Sequence, residues 1–179
     1  MFLCLQNLSQ FWYRQDTAEC LATECQRLAS SCEEGCGSIA CISSPTVYRT
    51  LRKLNPKIKM SVFEFDSRFA VYGEDFVLYD YRSPLSVPSH LRESFDVIIA
   101  DPPYLAEDCL TKVALTIKML SKPDAKIILC TGKVMTELAA RLMGLELQKF
   151  EIRHDKERLS NPFGCFSNYD LDEYCKYTC

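Results

Sequence analysis

The sequence lacks the residue spacings by which proteins usually bind zinc. It has only two histidines, His90 and His154, which lie far apart in the chain. Its eleven cysteines include no Cys-x-x-Cys pair, and the closest group is Cys32, Cys36 and Cys41. Structural zinc sites need Cys and His ligands at short, recurring spacings. We therefore predict that the protein holds no metal.

The cysteines also occur without the features that accompany structural disulfides. Their number is odd, and the opening residues, MFLCLQNL, lack the basic segment of a signal peptide. Cys41 and Cys130 stand at aliphatic positions inside apolar runs, as reduced buried thiols do. We therefore predict a reducing compartment and a cytoplasmic protein. Scattered disulfides of the secreted type are the less favoured alternative.

Long apolar runs and a strongly basic composition are absent as well. No run approaches the roughly 20 apolar residues that cross a bilayer, and the net charge of −3 argues against a large phosphate-binding surface. A mildly acidic surface suits a basic protein partner better than DNA or RNA. The chain has 179 residues, 47% of them apolar, which predicts one globular domain. We expect a monomer that binds no membrane and forms no stable complex with nucleic acid.

Apolar patterns alternate between strands and helices along the chain. Short apolar runs predict strands, and apolar residues spaced by three and four predict helices. The predicted strands are 39–42, 60–65, 76–79, 96–100 and 125–130, and the main predicted helices are 9–30 (after its aromatic residues), 43–54, 105–120 and 134–143. This order is typical of a doubly wound, mostly parallel α/β sheet with helices on both faces. Two alternating stretches, 145–153 and 163–169, predict a closing antiparallel strand pair.

Polar residues follow four of the predicted strands, where open α/β sheets bind their ligands. In chain order they are Ser43, Ser44 and Pro45, then Glu64 and Asp66, then Asp80, and then Asp101. An acid after the second strand suits a nucleoside, because a carboxylate accepts hydrogen bonds from ribose hydroxyls. The first turn has no Gly-x-Gly-x-x-Gly, which disfavours a dinucleotide but not a cofactor without phosphates. Each acid taken singly could instead be a helix cap or a solvated loop residue.

The fourth strand is followed by Asp101-Pro102-Pro103-Tyr104. Two prolines cannot continue a strand ladder, and they hold the backbone rigid. Asp101 and the carbonyl group of Pro102 could therefore accept the hydrogens of an amine, and Tyr104 could pack against the group that carries it. The alternative is a proline-rich turn that only ends the strand.

With these residues assembled, the chain resembles the class I S-adenosylmethionine-dependent methyltransferases. Its D-P-P-Y is similar to the [DNS]-P-P-[YFW] signature of enzymes that methylate amines and amides. The stretches LSQFWYRQDTAECLA, IACISSPTVY, VFEFDSRFAVYGEDFVLYDY, IIADPPYL and ILCTG are similar to the small family that methylates a lysine of translation elongation factor 1 alpha. The resemblance runs from about residue 8 to residue 170. It implies one methyltransferase domain over 1–179, with a cofactor-capping helix in 1–30 and a Rossmann-like, seven-stranded core in 37–179.

The resemblance also implies S-adenosylmethionine as the cofactor and assigns roles to individual residues. Glu64 stands at the ribose-binding acid, Asp80 lies near the adenine, and Asp101 to Tyr104 hold the acceptor amine. The cofactor-binding residues implied in this way are Phe11, Trp12, Tyr13, Thr17, Ser43, Ser44, Pro45, Glu64, Asp80 and Asp101. The first four would close over the cofactor, although their aromatic rings could instead belong to the core. Ser43-Ser44-Pro45 departs from the glycine-rich turn of the class.

The implied reaction is a direct transfer of a methyl group to the neutral amine of lysine. With an ordinary pKa of about 3.9, Asp101 would be a weak base. We therefore expect Asp101 to position the amine and to stabilise the ammonium that develops, while the face of Tyr104 favours a cation. One alternative is an adenine amine methyltransferase acting on DNA or RNA, and another is a catalytically idle binding module. The candidate nucleic-acid patch comprises Lys149, Arg153, His154, Lys156 and Arg158.

Overall fold

The computed structural model describes residues 12–32, 36–155 and 162–175, in which seven strands form one sheet. The strands are β1 (Ser38–Ile42), β2 (Lys59–Glu64), β3 (Phe76–Leu78), β4 (Phe95–Ala100), β5 (Ser121–Gly132), β6 (Glu146–Leu147) and β7 (Phe163–Ser167). Their order across the sheet is β3-β2-β1-β4-β5-β7-β6. The first five strands in this order are parallel to one another. In contrast, β7 runs antiparallel to both β5 and β6. This confirms the predicted doubly wound sheet with a closing antiparallel pair.

Helices cover both faces of the sheet. They are α1 (Gln15–Ser30), α2 (Pro45–Leu54), α3 (Glu107–Leu120), α4 (Thr136–Met143) and α5 (Asp172–Cys175). Pro45 opens α2, where a missing backbone N–H costs least. Gly144 ends α4 with φ of 65°, a left-handed backbone conformation that glycine adopts without steric cost.

The core consists of two apolar layers, one on each face of the sheet. In β4, Val97 and Ile99 contribute to the layer that contains residues of α1 and α2, whereas Ile98 and Ala100 contribute to the layer of α3 and α4. All four of these side chains are fully buried. The central strands therefore carry continuous apolar runs, as parallel strands covered on both faces do.

The segment before α1 is extended, and α1 begins after the aromatic residues, as predicted. Tyr13 forms an antiparallel bridge with His154. The backbone N–H of Arg14 donates to the carbonyl group of Arg153 at 2.9 Å, and that of Asp155 donates to the carbonyl group of Trp12 at 3.0 Å. These bonds join the segment to the chain after β6, so α1 begins only at Gln15.

The predicted strand over 145–153 is much shorter in the structure, where β6 has two residues. The backbone N–H groups of Lys149 and Phe150 donate to the carboxylate of Asp172 in α5 at distances of 2.8 to 3.0 Å. The side chain of Asp172 thus accepts the hydrogen bonds that a neighbouring strand would otherwise accept. No helix in the described residues has the length and apolarity needed to cross a membrane.

Candidate active site

The carboxyl ends of β1, β2 and β4 lie side by side. Ile42 pairs with Phe63 of β2 on one side and with Ala100 of β4 on the other. In the chain, Ile42, Phe63 and Ala100 are followed directly by Ser43, Glu64 and Asp101, respectively. The sheet register therefore brings together three of the residues predicted for the site.

The turn after β1 has a conformation that usually needs glycine. Ser43 has φ of 50°, in the left-handed region that is uncommon for residues with a side chain. Its backbone N–H donates to the carbonyl group of Phe63 at 2.8 Å, which holds the turn against β2. The serine turn thus adopts a backbone conformation that glycine reaches without steric cost.

Ser44 carries a buried hydroxyl group that has no hydrogen-bond partner among the described residues. The residue is 2% exposed and directly precedes Pro45, the first residue of α2. Leaving a buried hydroxyl group unpaired costs roughly 1–3 kcal/mol. This hydroxyl group at the strand ends is therefore a candidate contact for a bound ligand.

Glu64, at the end of β2, is held by its own turn. One of its carboxylate oxygens, Oε1, accepts hydrogen bonds from the backbone N–H groups of Phe65 at 2.9 Å and Asp66 at 3.3 Å. Asp66 instead pairs with Arg68 through both carboxylate oxygens, and these hydrogen bonds hold the pKa of Asp66 below its ordinary value. Of these two acids, Asp66 is thus already engaged by a guanidinium group in the structure.

Asp80 lies beyond the end of β3 and is also paired. Its carboxylate accepts hydrogen bonds from the guanidinium group of Arg82 at 2.7 to 3.0 Å. These bonds lower the pKa of Asp80, so it is a carboxylate at neutral pH. A ligand at this position would meet the Asp80–Arg82 pair rather than a single acid.

Asp101 receives a hydrogen bond from the segment that precedes α1. The hydroxyl group of Tyr13 donates to Oδ2 of Asp101 at 2.6 Å, and the backbone N–H of Asp101 donates to the carbonyl group of Ile42 at 3.0 Å. The two residues are 88 positions apart in the sequence. The carboxyl group is therefore fixed from both the sheet and the N-terminal segment.

The expectation that Asp101 has an ordinary pKa is wrong in this structure. Although the residue keeps some solvent exposure, its carboxyl group is enclosed, and this burial raises the pKa of Asp101 to about 7. The hydrogen bond from Tyr13 acts in the opposite direction, and the nearby charge of Glu64 raises the pKa further. Asp101 therefore changes its charge near neutral pH, the range in which a carboxyl group serves best in acid–base catalysis.

The remainder of the predicted amine site follows Asp101 directly. Pro102 is buried, Pro103 is partly buried, and Tyr104 is 49% exposed. The ring of Tyr104 packs against the ring of Tyr81, with 5.7 Å between centroids and an angle of 61° between their planes. An exposed aromatic face thus stands next to a rigid backbone and a carboxyl group.

The N-terminal aromatic residues occupy different environments. Tyr13 reaches Asp101, whereas Trp12 is half-buried, with the guanidinium carbon of Arg49 lying 5.2 Å from its ring centroid. Thr17 is buried, and its hydroxyl oxygen accepts a hydrogen bond from the backbone N–H of Arg153 at 3.2 Å. The structure therefore brings Tyr13 to the acid at the strand end, whereas Thr17 contacts the chain after β6. Phe11 lies outside the described residues, and the cofactor roles of these residues stay predictions.

Sequence reasoning overlooked two aromatic residues at this edge of the sheet, Tyr81 and Phe65. Tyr81 directly follows Asp80 and supports Tyr104, and Phe65 directly follows Glu64 and is 52% exposed. Their position next to predicted site acids was the available signal. An exposed aromatic side chain beside a ligand-binding acid is a candidate contact for a flat ring.

Of the residues in the predicted basic patch that the structure describes, His154 does not lie on the surface. His154 is buried, and its ring packs against those of Tyr13 and Phe163 at centroid distances of 5.2 and 4.9 Å. Burial lowers the pKa of His154 below its ordinary value, which favours the neutral ring. Lys156 and Arg158 lie outside the described residues. The histidine therefore belongs to the packing behind Tyr13 and not to a charged surface.

Within the described part of the chain, no group of three or more Cys, His, Asp or Glu side chains could hold a metal ion. Cys41 and Cys130 are buried thiols in β1 and β5. Burial raises the pKa of the Cys41 thiol above its ordinary value, which keeps it protonated. Buried protonated thiols of this kind are inert packing groups.

Comparison with known proteins gives close relatives over most of the chain. A family model described as "Probable N6-adenine methyltransferase" matches residues 5–171. EEF1A lysine methyltransferase 1 of Homo sapiens is 48% identical over 171 residues, which cover 94% of this chain and 77% of that protein. The protein of the same name from Bos taurus is also 48% identical, with coverage of 94% and 73%. Protein-lysine N-methyltransferase M142.8 of Caenorhabditis elegans is 42% identical, with coverage of 94% and 80%.

Solved structures of methyltransferases share the fold at low sequence identity. TrmN from Thermus thermophilus has a TM-score of 0.53 and 17% identity, covering 87% of this chain and 52% of that one. Precorrin-6y C5,15-methyltransferase from Geobacter metallireducens has a TM-score of 0.50 and 12% identity, covering 85% and 87%. These similarities show the Rossmann-like methyltransferase fold alone.

Proposed function

The chain belongs to the methyltransferase family that includes EEF1A lysine methyltransferase 1, and from this membership we propose that it methylates a lysine side chain of translation elongation factor 1 alpha. The methyl donor is S-adenosylmethionine. The observation that carries the proposal is 48% identity to the human and bovine lysine methyltransferases over 94% of the chain. We further propose that the protein acts as a monomer in the cytoplasm.

The residues at the strand ends fit the proposed cofactor. Glu64 presents a buried carboxylate that can accept hydrogen bonds from ribose hydroxyls. The unpaired hydroxyl group of Ser44, beside the left-handed turn at Ser43, supplies a polar contact for the amino-acid part of the cofactor. When bound, S-adenosylmethionine supplies a methyl group on a positively charged sulfur.

Asp101 would orient the lysine amine by accepting a hydrogen bond from its N–H. The carboxylate would also stabilise the positive charge that the nitrogen gains, as the sulfur loses it, when the methyl group is transferred. Because burial raises the pKa of Asp101 to about 7, this carboxylate form becomes dominant only above neutral pH. The exposed ring of Tyr104 would lie along the lysine side chain and favour its cation.

Methylation of adenine amines is the second candidate, since the matching family model carries that description and the D-P-P-Y motif suits either amine. Against it, the curated relatives at 42–48% identity are described as lysine methyltransferases. An enzyme that acts on a base in a duplex must also extrude it and hold the phosphate backbone, and His154 of the predicted basic patch is buried.

The test is a transfer assay with methyl-labelled S-adenosylmethionine. Elongation factor 1 alpha, adenine-containing DNA and adenine-containing RNA are offered separately, and the product is located by mass spectrometry. We expect label on a lysine of the protein. Asp101→Ala should abolish transfer while cofactor affinity changes little, and Asp124→Ala, at an exposed position of β5, should leave transfer unchanged. Label in nucleic acid alone would replace the lysine proposal with the adenine one.

A further inference from the structure

The hydrogen bond between Tyr13 and Asp101 joins the N-terminal segment to the proposed amine site. We infer that Tyr13 is a positioning residue for catalysis: it fixes the carboxyl group of Asp101 and favours its charged form. The inference rests on the proposed function for its catalytic consequence, but the bond and its effect on Asp101 can be measured without a substrate.

The position of the Tyr13 ring is set by groups from distant parts of the chain. The residue is 4% exposed, and its ring packs against His154, which in turn packs against Phe163 of β7. Backbone hydrogen bonds on either side, from Arg14 and to Trp12, hold the same segment. Since these contacts restrain the ring, its hydroxyl group can reach Oδ2 of Asp101 at 2.6 Å with little freedom to move.

The bond leaves one carboxylate oxygen of Asp101 for the acceptor. Oδ2 is taken by Tyr13, and the structure gives Oδ1 no hydrogen bond among the described residues. A fixed carboxylate with one available oxygen presents a single direction for an incoming amine. Such preorganisation lowers the entropy cost of aligning the amine with the methyl group.

Tyr13 also opposes the other groups that act on Asp101. Burial of the carboxyl group raises the pKa of Asp101, the hydrogen bond from Tyr13 lowers it, and the charge of Glu64, from β2, raises it further. Cys130, from β5, faces the Tyr13 hydroxyl group, and the pKa of Tyr13 is raised well above its ordinary value by burial first and then by Asp101 and Cys130. Tyr13 therefore remains a neutral donor throughout the physiological pH range.

The direct test is the pKa of Asp101, followed by carbon-13 NMR of its carboxyl carbon. Tyr13→Phe removes the donor and should move the pKa of Asp101 upward. Substitution of 3-fluorotyrosine at position 13 keeps the ring and makes the hydroxyl group a stronger donor, so it should move that pKa downward. If Tyr13→Phe fails to fold, the 3-fluorotyrosine variant still tests the effect of the hydrogen bond on the pKa of Asp101. An unchanged pKa in the folded variants would overturn the inference.

The kinetic test compares Tyr13→Phe with a matched tyrosine. Tyr48 is also buried and donates to a carboxylate, Oδ2 of Asp75, at 2.7 Å, but Asp75 directly precedes β3 and pairs with Arg52 of α2. Tyr13→Phe should lower kcat by about ten- to a hundredfold, the usual effect of a hydrogen bond to a charged group. The acidic limb of its pH–rate profile should move to higher pH.

Tyr48→Phe should change neither kcat nor the pH–rate profile. Equal losses in the two variants would mean that Tyr13 acts only through stability, which would overturn the inference. Failure of the wild-type protein to methylate elongation factor 1 alpha would refute the proposed substrate instead. The NMR result on Asp101 would still stand in that case, so the two failures can be told apart.

Discussion

Lys122 places its ammonium nitrogen 2.8 Å from both carboxylate oxygens of Asp96, at the amino ends of the strands. Ser38 also donates to Asp96 through its backbone N–H at 2.9 Å and its hydroxyl group at 3.0 Å. One carboxylate thus ties together the starts of β1, β4 and β5, at the edge of the sheet that faces away from the candidate site.

This arrangement predicts a loss of stability without a loss of cofactor binding. Asp96→Ala removes the acceptor of the Ser38 backbone N–H and the ion pair with Lys122, and should lower the free energy of unfolding by about 1–3 kcal/mol. Urea unfolding measures the change, and calorimetry with S-adenosylmethionine should show unchanged affinity. Asp124→Ala, which removes an exposed acid of the same sheet, should alter stability by less than about 0.5 kcal/mol.

The same pair predicts a contribution to acid denaturation. Burial alone would raise the pKa of Asp96, but hydrogen bonds from Lys122 and Ser38 outweigh it and hold the pKa below its ordinary value. A lowered pKa in the folded state stabilises the protein above the unfolded pKa of about 3.9, and this stabilisation is lost as the pH falls through the folded value. The difference in unfolding free energy between wild type and Asp96→Ala should therefore shrink below about pH 4.

Asp101 should have the opposite effect on stability. Its pKa is raised to about 7 in the folded protein, so the folded state retains a proton that the unfolded chain releases at about pH 3.9. This contribution to stability is complete at low pH and is lost as the pH rises from about 4 to about 7. Asp101→Asn should therefore be more stable than wild type at pH 8, and the advantage should decrease at pH 5. Urea unfolding at the two pH values measures the difference, and an equal advantage at both would contradict the raised pKa.

The rate of methyl transfer should rise with pH. Between about pH 6 and pH 8, Asp101 becomes a carboxylate, since its pKa lies near 7, and the neutral fraction of the lysine amine also grows about tenfold per pH unit. Single-turnover assays across this range measure the chemical step. A rate that is flat or falls between pH 6 and pH 8 would contradict a role for the Asp101 carboxylate.

Removal of Glu64 should act on the cofactor first. Glu64→Ala should weaken binding of S-adenosylmethionine by about 1–3 kcal/mol, the cost of a lost hydrogen bond to a charged group. Asp66→Ala should affect cofactor binding less, because Asp66 is paired with Arg68. Calorimetry on the two folded variants measures both effects. A larger loss of affinity in Asp66→Ala than in Glu64→Ala would assign the ribose contact to Asp66 instead of Glu64.

The two aromatic residues at the amine site should differ in their effects. Tyr104→Ala removes the ring next to Asp101 and should lower kcat/KM for the protein substrate by at least about tenfold. The variant loses both the cation–π contact with the lysine and the packing of the ring against it. Tyr81→Ala removes only the support for that ring and should cause a smaller loss, whereas Tyr81→Phe should be close to wild type. Steady-state kinetics with elongation factor 1 alpha measures this ranking.

Much of this site could be predicted because its residues immediately follow apolar runs. Ser43, Glu64 and Asp101 end parallel strands, and the pairing of Ile42 with Phe63 and Ala100 aligns them. Local pattern and the geometry of a parallel sheet are enough to place such residues at one edge. The same reasoning gave the order of strands and helices and the antiparallel closing pair.

The rest depended on contacts between residues far apart in the chain. Nothing in the periodicity of the sequence indicates that Tyr13 meets Asp101, or that Thr17 meets Arg153 across 136 positions. The raised pKa of Asp101 follows from its burial and so could not be read from residue type. The carboxylate of Asp172 likewise ends the strand predicted over 145–153 by accepting its backbone hydrogens.

The position of Trp12 gives the protein a built-in optical reporter. It is the only tryptophan among the 179 residues, and it adjoins Tyr13 while lying over Arg49 of α2. Its emission therefore comes from one known place, the junction between the N-terminal segment and the first helix after β1. Any rearrangement of that segment on cofactor binding would change the wavelength or quenching of this single emitter, with no added dye and no other indole contributing to the signal.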